Sequence, residues 1–164
     1  MSPFIFLLMQ CALLAYAILG GVFLAFSDFI MRSLSITGGV EVMQIINREV
    51  FRWVFMTLFL GMAVVSVIIV GYAIAAVGGP GRVQIMLAGV IYLVGCFGTT
   101  VFINVPMNEA LAGMETVNDA AHEYWTDTYL PRWTFWNSVR TVACITSAGL
   151  LLAGLFRMLP TQLT

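Results

Sequence analysis

The feature that most constrains this chain is an uncharged apolar run over residues 4–27, followed by three further apolar runs. These cover residues 53–77, 83–103 and 133–156. A helix needs about 20 apolar residues to cross roughly 30 Å of hydrocarbon, so each run predicts a membrane-spanning helix. The first run is too long for a signal-peptide core and lacks a basic start, so we expect it to be retained.

Composition supports the same conclusion. The 164 residues are 61% hydrophobic and 9% charged, whereas soluble domains carry about 25% charged residues. A net charge of −1 argues against nucleic acid as a partner. We therefore predict one domain, residues 1–164, that is all-α: an integral membrane four-helix bundle, multi-pass in the cell membrane, with the lipid bilayer as its partner. A short polar tail is expected after the fourth span.

The connections between the spans differ in length. Residues 78–81, a Gly-Gly-Pro-Gly sequence, predict a tight turn between the second and third spans. The other two connections are longer and amphipathic, which predicts short interfacial helices after helices 1 and 3. Residues 37–39 should end the first helix. Pro106 should disturb the third span near its end, and Pro131 should separate a helical segment over residues 108–129 from the fourth span.

An up-and-down bundle places both long connections at the same end. Polar residues of the two long connections and of the adjoining span ends therefore gather there, and Asp28 can pair with Arg32 one helical turn away. The residues that this topology brings to one end are Asp28, Arg32, Arg48, Asn104, Asn108, His122 and Arg140.

Arg140 lies within the fourth span, where a cation needs an anion or several acceptors. Trp133, Asn137 and Arg140 share one helix face, and Asn104 and Asn108 are one turn apart on the preceding helix. One interpretation is a pocket that binds an anionic or enolate-like oxygen. The other is a structural ion pair between Arg140 and Asp28 or an acid of the long connection.

An aromatic group lies beside these polar residues, and it has two interpretations. Such residues line sites for flat ligands, but they also form the interfacial belt of membrane proteins. The four aromatic residues are Trp125, Tyr129, Trp133 and Trp136.

His122 is the only histidine, and it is a candidate base or metal ligand. Glu115, Asp119 and His122 share a helix face and would offer three ligands. A di-iron bundle, however, requires two Glu-x-x-His units, and a bis-histidine haem requires a second histidine. The sequence HEYWT also departs from the HExxH zinc motif. We therefore predict no metal site.

Four segments of the chain resemble the anthrone oxygenase-like family of small membrane proteins. They are GGVFLAFSDFIMRSL (20–34), MQIINREV (43–50), VFINVPMNEALA (101–112) and WTFWNSVRT (133–141). The resemblance implies oxidation of an anthrone to an anthraquinone by molecular oxygen, without a conventional cofactor. The family motifs fall on Asn47, Arg48, Asn104, Asn108, Trp133, Asn137 and Arg140.

These lines of reasoning lead to a hypothesis in which a flat, lipophilic phenolic substrate enters from the bilayer. Asp28 or His122 acts as the base, and Arg48 or Arg140 stabilises the enolate together with Asn104 and Asn108. The expected substrate-binding residues are Asn47, Trp125, Tyr129, Trp133, Trp136 and Asn137. The alternatives are a small-molecule binding or transport protein, which would form a homo-oligomer, and a membrane assembly subunit.

Overall fold

A computed structural model describes residues 2–158, and this part of the chain contains five helices. They are α1 (Pro3–Ile36), α2 (Gly39–Glu49), α3 (Val54–Ala76), α4 (Arg82–Ala112) and α5 (Asp119–Met158). All except the short α2 are long and apolar enough to cross a membrane. The fold is the predicted four-helix bundle. Most of the predicted polar tail lies outside the described residues.

The four long helices run alternately up and down. Helix α5 packs against α1 and α4, α4 packs against α3, and α3 contacts α1. The side chains that face one another form an apolar core, within which two buried tyrosine hydroxyls are hydrogen-bonded. The Tyr16 hydroxyl and Ser66 Oγ are 2.6 Å apart, and Tyr92 donates a hydrogen bond to the Phe59 carbonyl oxygen.

The outer surface of the bundle is apolar. Leu14, Ile18, Val64 and Val142, for example, are each more than half exposed. A water-facing surface of this composition would be unfavourable, whereas lipid solvates it without cost. The chain is therefore a multi-pass membrane protein.

The connections confirm part of the prediction and correct another part. Gly38 has a positive φ of 70°, and α1 ends there as expected. The next residue, Gly39, has no room for a side chain because Trp125 and Leu34 pack against it. The prediction that Pro131 separates two helices is wrong, since α5 continues through it without a break.

Wider turns explain how α4 and α5 tolerate their prolines. Thr100–Asn104 precedes Pro106, and Tyr124–Tyr129 precedes Pro131; both segments are π-helical. A proline ring in an α-helix clashes with the carbonyl four residues earlier. The wider π turn moves that carbonyl aside, so the helix continues. A third π segment, Phe26–Ile30, lies at the same end of α1, and such turns are frequent at functional sites.

Close packing of α3 against α4 generates a testable prediction at Gly89. A Cβ atom there would lie 2.8 Å from the Ser66 carbonyl oxygen, whereas a Cβ at Gly71 would meet nothing within 4 Å. We expect Gly89→Ala to lower the free energy of unfolding by about 1–3 kcal/mol. Gly71→Ala is the matched control and should be neutral or slightly stabilising. Equal thermal midpoints of the two variants in one detergent would contradict this packing.

Candidate functional site

A cavity of about 340 Å³ lies at the end of the bundle where α2 covers the other helices. Its volume falls within the range of ligand pockets, roughly 300–1,000 Å³. Most of its wall is hydrocarbon, including Phe23 and Phe26 from α1 and Phe55 and Phe59 from α3. Its polar lining consists of the side chains of Asn47, Thr100, Asn108, Asn137 and Arg140, together with the indole nitrogen of Trp133.

The cavity has an apolar mouth on the side of the bundle. Three residues that line it are also well exposed on the outer surface: Phe51 before α3, Leu60 on α3 and Val101 on α4. Since the outer surface of α3 and α4 faces lipid, this mouth opens towards the bilayer. A lipophilic molecule can therefore reach the cavity without crossing water.

Arg140 is the charged group of this cavity. Its side chain is only 5% exposed, and its guanidinium carbon lies 4.5 Å from the centre of the Phe23 ring and 5.1 Å from that of Trp133. Cations are attracted to the faces of aromatic rings. The two rings therefore compensate part of the free energy that burial of this charge costs.

Two neutral side chains fix the position of the Arg140 guanidinium. Its Nη2 donates to Asn137 Oδ1 at 2.7 Å, and its Nη1 donates to Thr100 Oγ1 at 3.3 Å. The Asn137 amide is itself fixed, because its nitrogen donates to the Phe23 carbonyl oxygen and to Ser27 Oγ. The Thr100 hydroxyl donates to the Cys96 carbonyl oxygen, so a lone pair faces Arg140.

The charge of Arg140 has no carboxylate partner among residues 2–158. The ion pairs in this part of the chain are Asp28 with Arg32 at 3.1 Å and Glu49 with Arg52 at 3.0 Å. The predicted pairing of Asp28 with Arg32 is therefore confirmed, and the alternative that pairs Asp28 with Arg140 is wrong. Arg140 Nε is buried without a hydrogen-bond partner in the described structure. The two hydrogen bonds to Asn137 and Thr100 use only part of the donor set of the guanidinium, which therefore retains donor capacity for an anion.

Asn108 provides a second oriented polar group. Its Oδ1 accepts hydrogen bonds from the Tyr129 hydroxyl at 2.7 Å and from Trp133 Nε1 at 2.8 Å. A flipped amide would place its nitrogen against the Trp133 indole N–H, which can only donate, so the orientation is fixed. The amide nitrogen of Asn108 is consequently left for the cavity that this residue lines. Asn47 completes the group by donating to the Tyr129 hydroxyl oxygen at 3.4 Å.

The predicted aromatic residues form a column within the protein rather than an exposed belt. Trp125 stacks on Tyr129 with ring centres 5.3 Å apart, and Tyr129 stacks on Trp133 at 6.1 Å. All three are buried, but Trp133 alone among them lines the cavity. Trp136 is half-buried beside them and does not line it.

The structure leaves four other predicted site residues outside the cavity. Asp28, Arg48 and His122 are exposed, and Asp28 forms an ion pair with Arg32. Asn104 is buried between α4 and α5, where its amide nitrogen donates to the Trp133 carbonyl oxygen at 3.4 Å. These four residues are at the expected end of the bundle, but they do not contact the space in which a ligand would lie.

The acidic residues around His122 do not assemble with it. Glu115 precedes the start of α5 and therefore does not share a helix face with Asp119 and His122. Within residues 2–158, no three histidine, cysteine or acidic side chains are grouped so that they could hold a metal ion. The three-ligand arrangement considered from the sequence is not formed.

Sequence reasoning missed Thr100 and the phenylalanines that line the cavity. Thr100 carried a signal, since a hydroxyl within an apolar span is a candidate for an interior contact. The phenylalanines carried none. A phenylalanine that faces lipid and one that faces a cavity are equivalent in a membrane-helix sequence.

The bridging role of Asn137 can be tested by its effect on stability. Asn137→Ala removes the link between α1 and Arg140, and we expect a loss of about 2–4 kcal/mol, since one of its bonds is to a charged group. Ser138→Ala is the matched control, because Ser138 also contacts Ser27 Oγ but does not reach Arg140. It should lose about 1 kcal/mol. Equal losses, measured by unfolding in one detergent, would show that Asn137 does not carry this link.

Comparison with known proteins supports the resemblance seen in the motifs. The family model described as anthrone oxygenase matches residues 48–150, which include the cavity-lining residues of α3, α4 and α5. No curated protein and no solved structure matches the chain. Because the family model covers more than half of the chain, this protein belongs to the anthrone oxygenase family.

Proposed function

We propose that this protein oxygenates a flat, lipophilic aromatic ketone or phenol, whose oxyanion is held at Arg140. One observation carries the proposal: a buried guanidinium without a carboxylate partner in residues 2–158 faces an apolar cavity that opens to the bilayer. Membership of the family supports an oxygenase-type activity. The identity of the substrate and the roles of the residues are part of the proposal.

The cavity wall suits a planar ring system. Trp133 and four phenylalanines, Phe23, Phe26, Phe55 and Phe59, provide aromatic surface. Aromatic rings bury a large apolar area and pack in offset or edge-to-face geometry. A fused-ring ligand would be bound here mainly by exclusion from water and by these contacts.

The polar groups are placed to select an oxygenated ligand. Arg140 provides a positive charge in a region from which water is largely excluded, and a fixed donor in such a region stabilises a developing oxyanion strongly. The Asn108 amide nitrogen offers a second donor near the Nε1 edge of Trp133. A ring system with one ionised oxygen and one neutral oxygen would satisfy both donors.

The proposed reaction needs molecular oxygen and no other oxidant. Loss of a C–H proton from an anthrone-like ketone gives an enolate, whose negative oxygen Arg140 stabilises. The electron-rich carbon then forms a bond to O₂, and the peroxide takes up a proton. Loss of the second C–H proton and cleavage of the O–O bond give a new carbonyl group and water. Overall, a CH₂ group and O₂ become C=O and H₂O.

The charge at Arg140 is the first part of the proposal to test. Arg140→Gln, in protein that remains folded, should lower turnover by about 100-fold or more, the usual cost of losing one oxyanion donor. The assay is oxygen uptake with anthrone in detergent or liposomes. Thr100→Val is the matched control, because it removes one neutral partner of Arg140 and keeps the charge; it should lose less than tenfold.

Several outcomes would contradict the proposal. Unchanged turnover in folded Arg140→Gln protein would exclude Arg140 as the oxyanion site. Anthrone that binds the wild-type protein without any oxygen uptake would favour the binding or transport function considered from the sequence. Flux of the bound compound into liposomes, without chemical change, would distinguish transport from binding.

A separate prediction concerns the two side chains that the sequence suggested as bases. Asp28 and His122 are exposed and do not line the cavity. We therefore expect Asp28→Asn and His122→Gln to change turnover by less than about threefold, because proton abstraction requires direct or water-mediated hydrogen-bond contact. Oxygen uptake at several pH values is the measurement. A loss comparable to that of Arg140→Gln in either folded variant would restore that residue as the base.

A further inference from the structure

We infer that the cavity ionises its ligand through the charge of Arg140, without a base among residues 2–158. The inference rests on the proposed function of this cavity and specifies its ligand class. The ligand is a hydroxyarene or an enolisable aryl ketone, bound as its delocalised conjugate base. The acidic proton is released to the aqueous phase.

The first argument is the composition of the lining. Among the described residues that line the cavity, Arg140 is the one titratable side chain; the other polar groups are amides, a hydroxyl and an indole nitrogen. None of these neutral groups accepts a proton at neutral pH. The lining therefore holds a charge that favours an anion and no side chain that would take up the proton.

The second argument concerns the titratable groups behind the lining. Tyr129 on α5, Cys96 on α4 and Cys144 on α5 are the titratable groups near Arg140, and all three are buried. Helix α1 contributes Phe23 and Ser27 around Asn137, and α3 contributes apolar side chains. On α2, the charged residues nearest to Asn47 are Arg48 and Glu49, and both are exposed.

Tyr129 is the group best placed to be considered as a base, and its hydrogen bonds exclude that role. Its hydroxyl donates to Asn108 Oδ1 at 2.7 Å and accepts from Asn47 Nδ2 at 3.4 Å. A phenol whose proton is already donated to an amide oxygen is in its neutral form. Tyr129 therefore orients Asn108 and does not remove a proton from the ligand.

The third argument is the size of the electrostatic effect. An opposite charge within about 4–6 Å lowers the pKa of an acid by 1–3 units. Arg140 can act in this way because the groups that contact its guanidinium are all neutral and do not cancel its charge. They are two aromatic rings, one amide and one hydroxyl. An anionic ligand would supply the missing counter-charge, so binding of the ligand and loss of its proton are thermodynamically linked.

The step is the ionisation of an acid, in which one bond to hydrogen breaks and a proton is released. The ligand's O–H bond, or the C–H bond next to its carbonyl, breaks, and the electron pair remains on the ligand. The proton is released to the aqueous phase, because the described lining of the cavity holds no group that would take it up. No oxidant or reductant takes part, so the step can be measured separately from oxygenation.

The experiment measures the pKa of a bound probe. 4-Nitro-1-naphthol is suitable because its phenolate absorbs visible light and its neutral phenol does not. A pH titration in a non-ionic detergent compares the probe bound to the protein with the probe in empty micelles. We expect the pKa of the bound probe to be lower by about 1–3 units, so that its visible band persists at lower pH.

Variants assign the shift to Arg140. Arg140→Gln should abolish it, and Arg140→Lys should keep most of it, because the lysine retains the charge. The matched control is Arg82→Gln, which removes the same charge from the exposed start of α4, at the far end of the bundle. It should leave the shift unchanged. If Arg140→Gln does not fold, the wild-type titration and Arg140→Lys still decide the question.

The outcomes separate this inference from the proposed function. A bound probe whose pKa equals that in empty micelles would overturn the inference, while anthrone-dependent oxygen uptake by the same preparation would preserve the proposed function. A lowered pKa without oxygen uptake would support ionisation at Arg140 and contradict the oxygenase activity. Failure of the wild-type protein to bind the probe would overturn the inference.

Discussion

The rest of the site depends on the amide of Asn137, which joins two helices and fixes a charge. Its nitrogen binds the Phe23 carbonyl oxygen and Ser27 on α1, and its oxygen accepts from Arg140 on α5. Because every one of these groups is neutral except Arg140, the contact positions the cation without cancelling its charge. A carboxylate at residue 137 would have formed an ion pair and removed the reason for an anion to bind.

Burial of Arg140 lowers the stability of the fold. A buried charge without an opposite charge is unfavourable by several kcal/mol, and neutral partners recover only part of that free energy. This partial stabilisation comes from the aromatic faces of Phe23 and Trp133 and from hydrogen bonds to Asn137 and Thr100. The apolar helices that pack below the cavity supply the remaining stability. The same residual cost favours a ligand that carries a negative charge into the cavity.

Much of the fold could be predicted from the sequence because its determinants are local. Apolar runs near 20 residues define the four spans, and Gly38 ends the first helix at its positive φ. Pro131 misled the prediction, because the π turn over Tyr124–Tyr129 that accommodates it has no local sequence signal. In the site, Arg140, Asn137, Asn108, Trp133 and Asn47 could be identified as polar or aromatic residues near one end. Asp28 and His122 could not be excluded as bases, because exposure depends on which helix face turns inward.

A structure of the protein with a bound hydroxyanthraquinone, determined in detergent or nanodiscs, would test the central claim most directly. The account predicts ring density between Trp133 and the phenylalanines of α1 and α3, with a ligand oxygen within about 3 Å of the Arg140 guanidinium, the distance of a charge-assisted hydrogen bond. Arg140 paired with a carboxylate of its own chain would contradict the account. Binding of the ligand elsewhere, with the cavity filled by side chains, would contradict it as well.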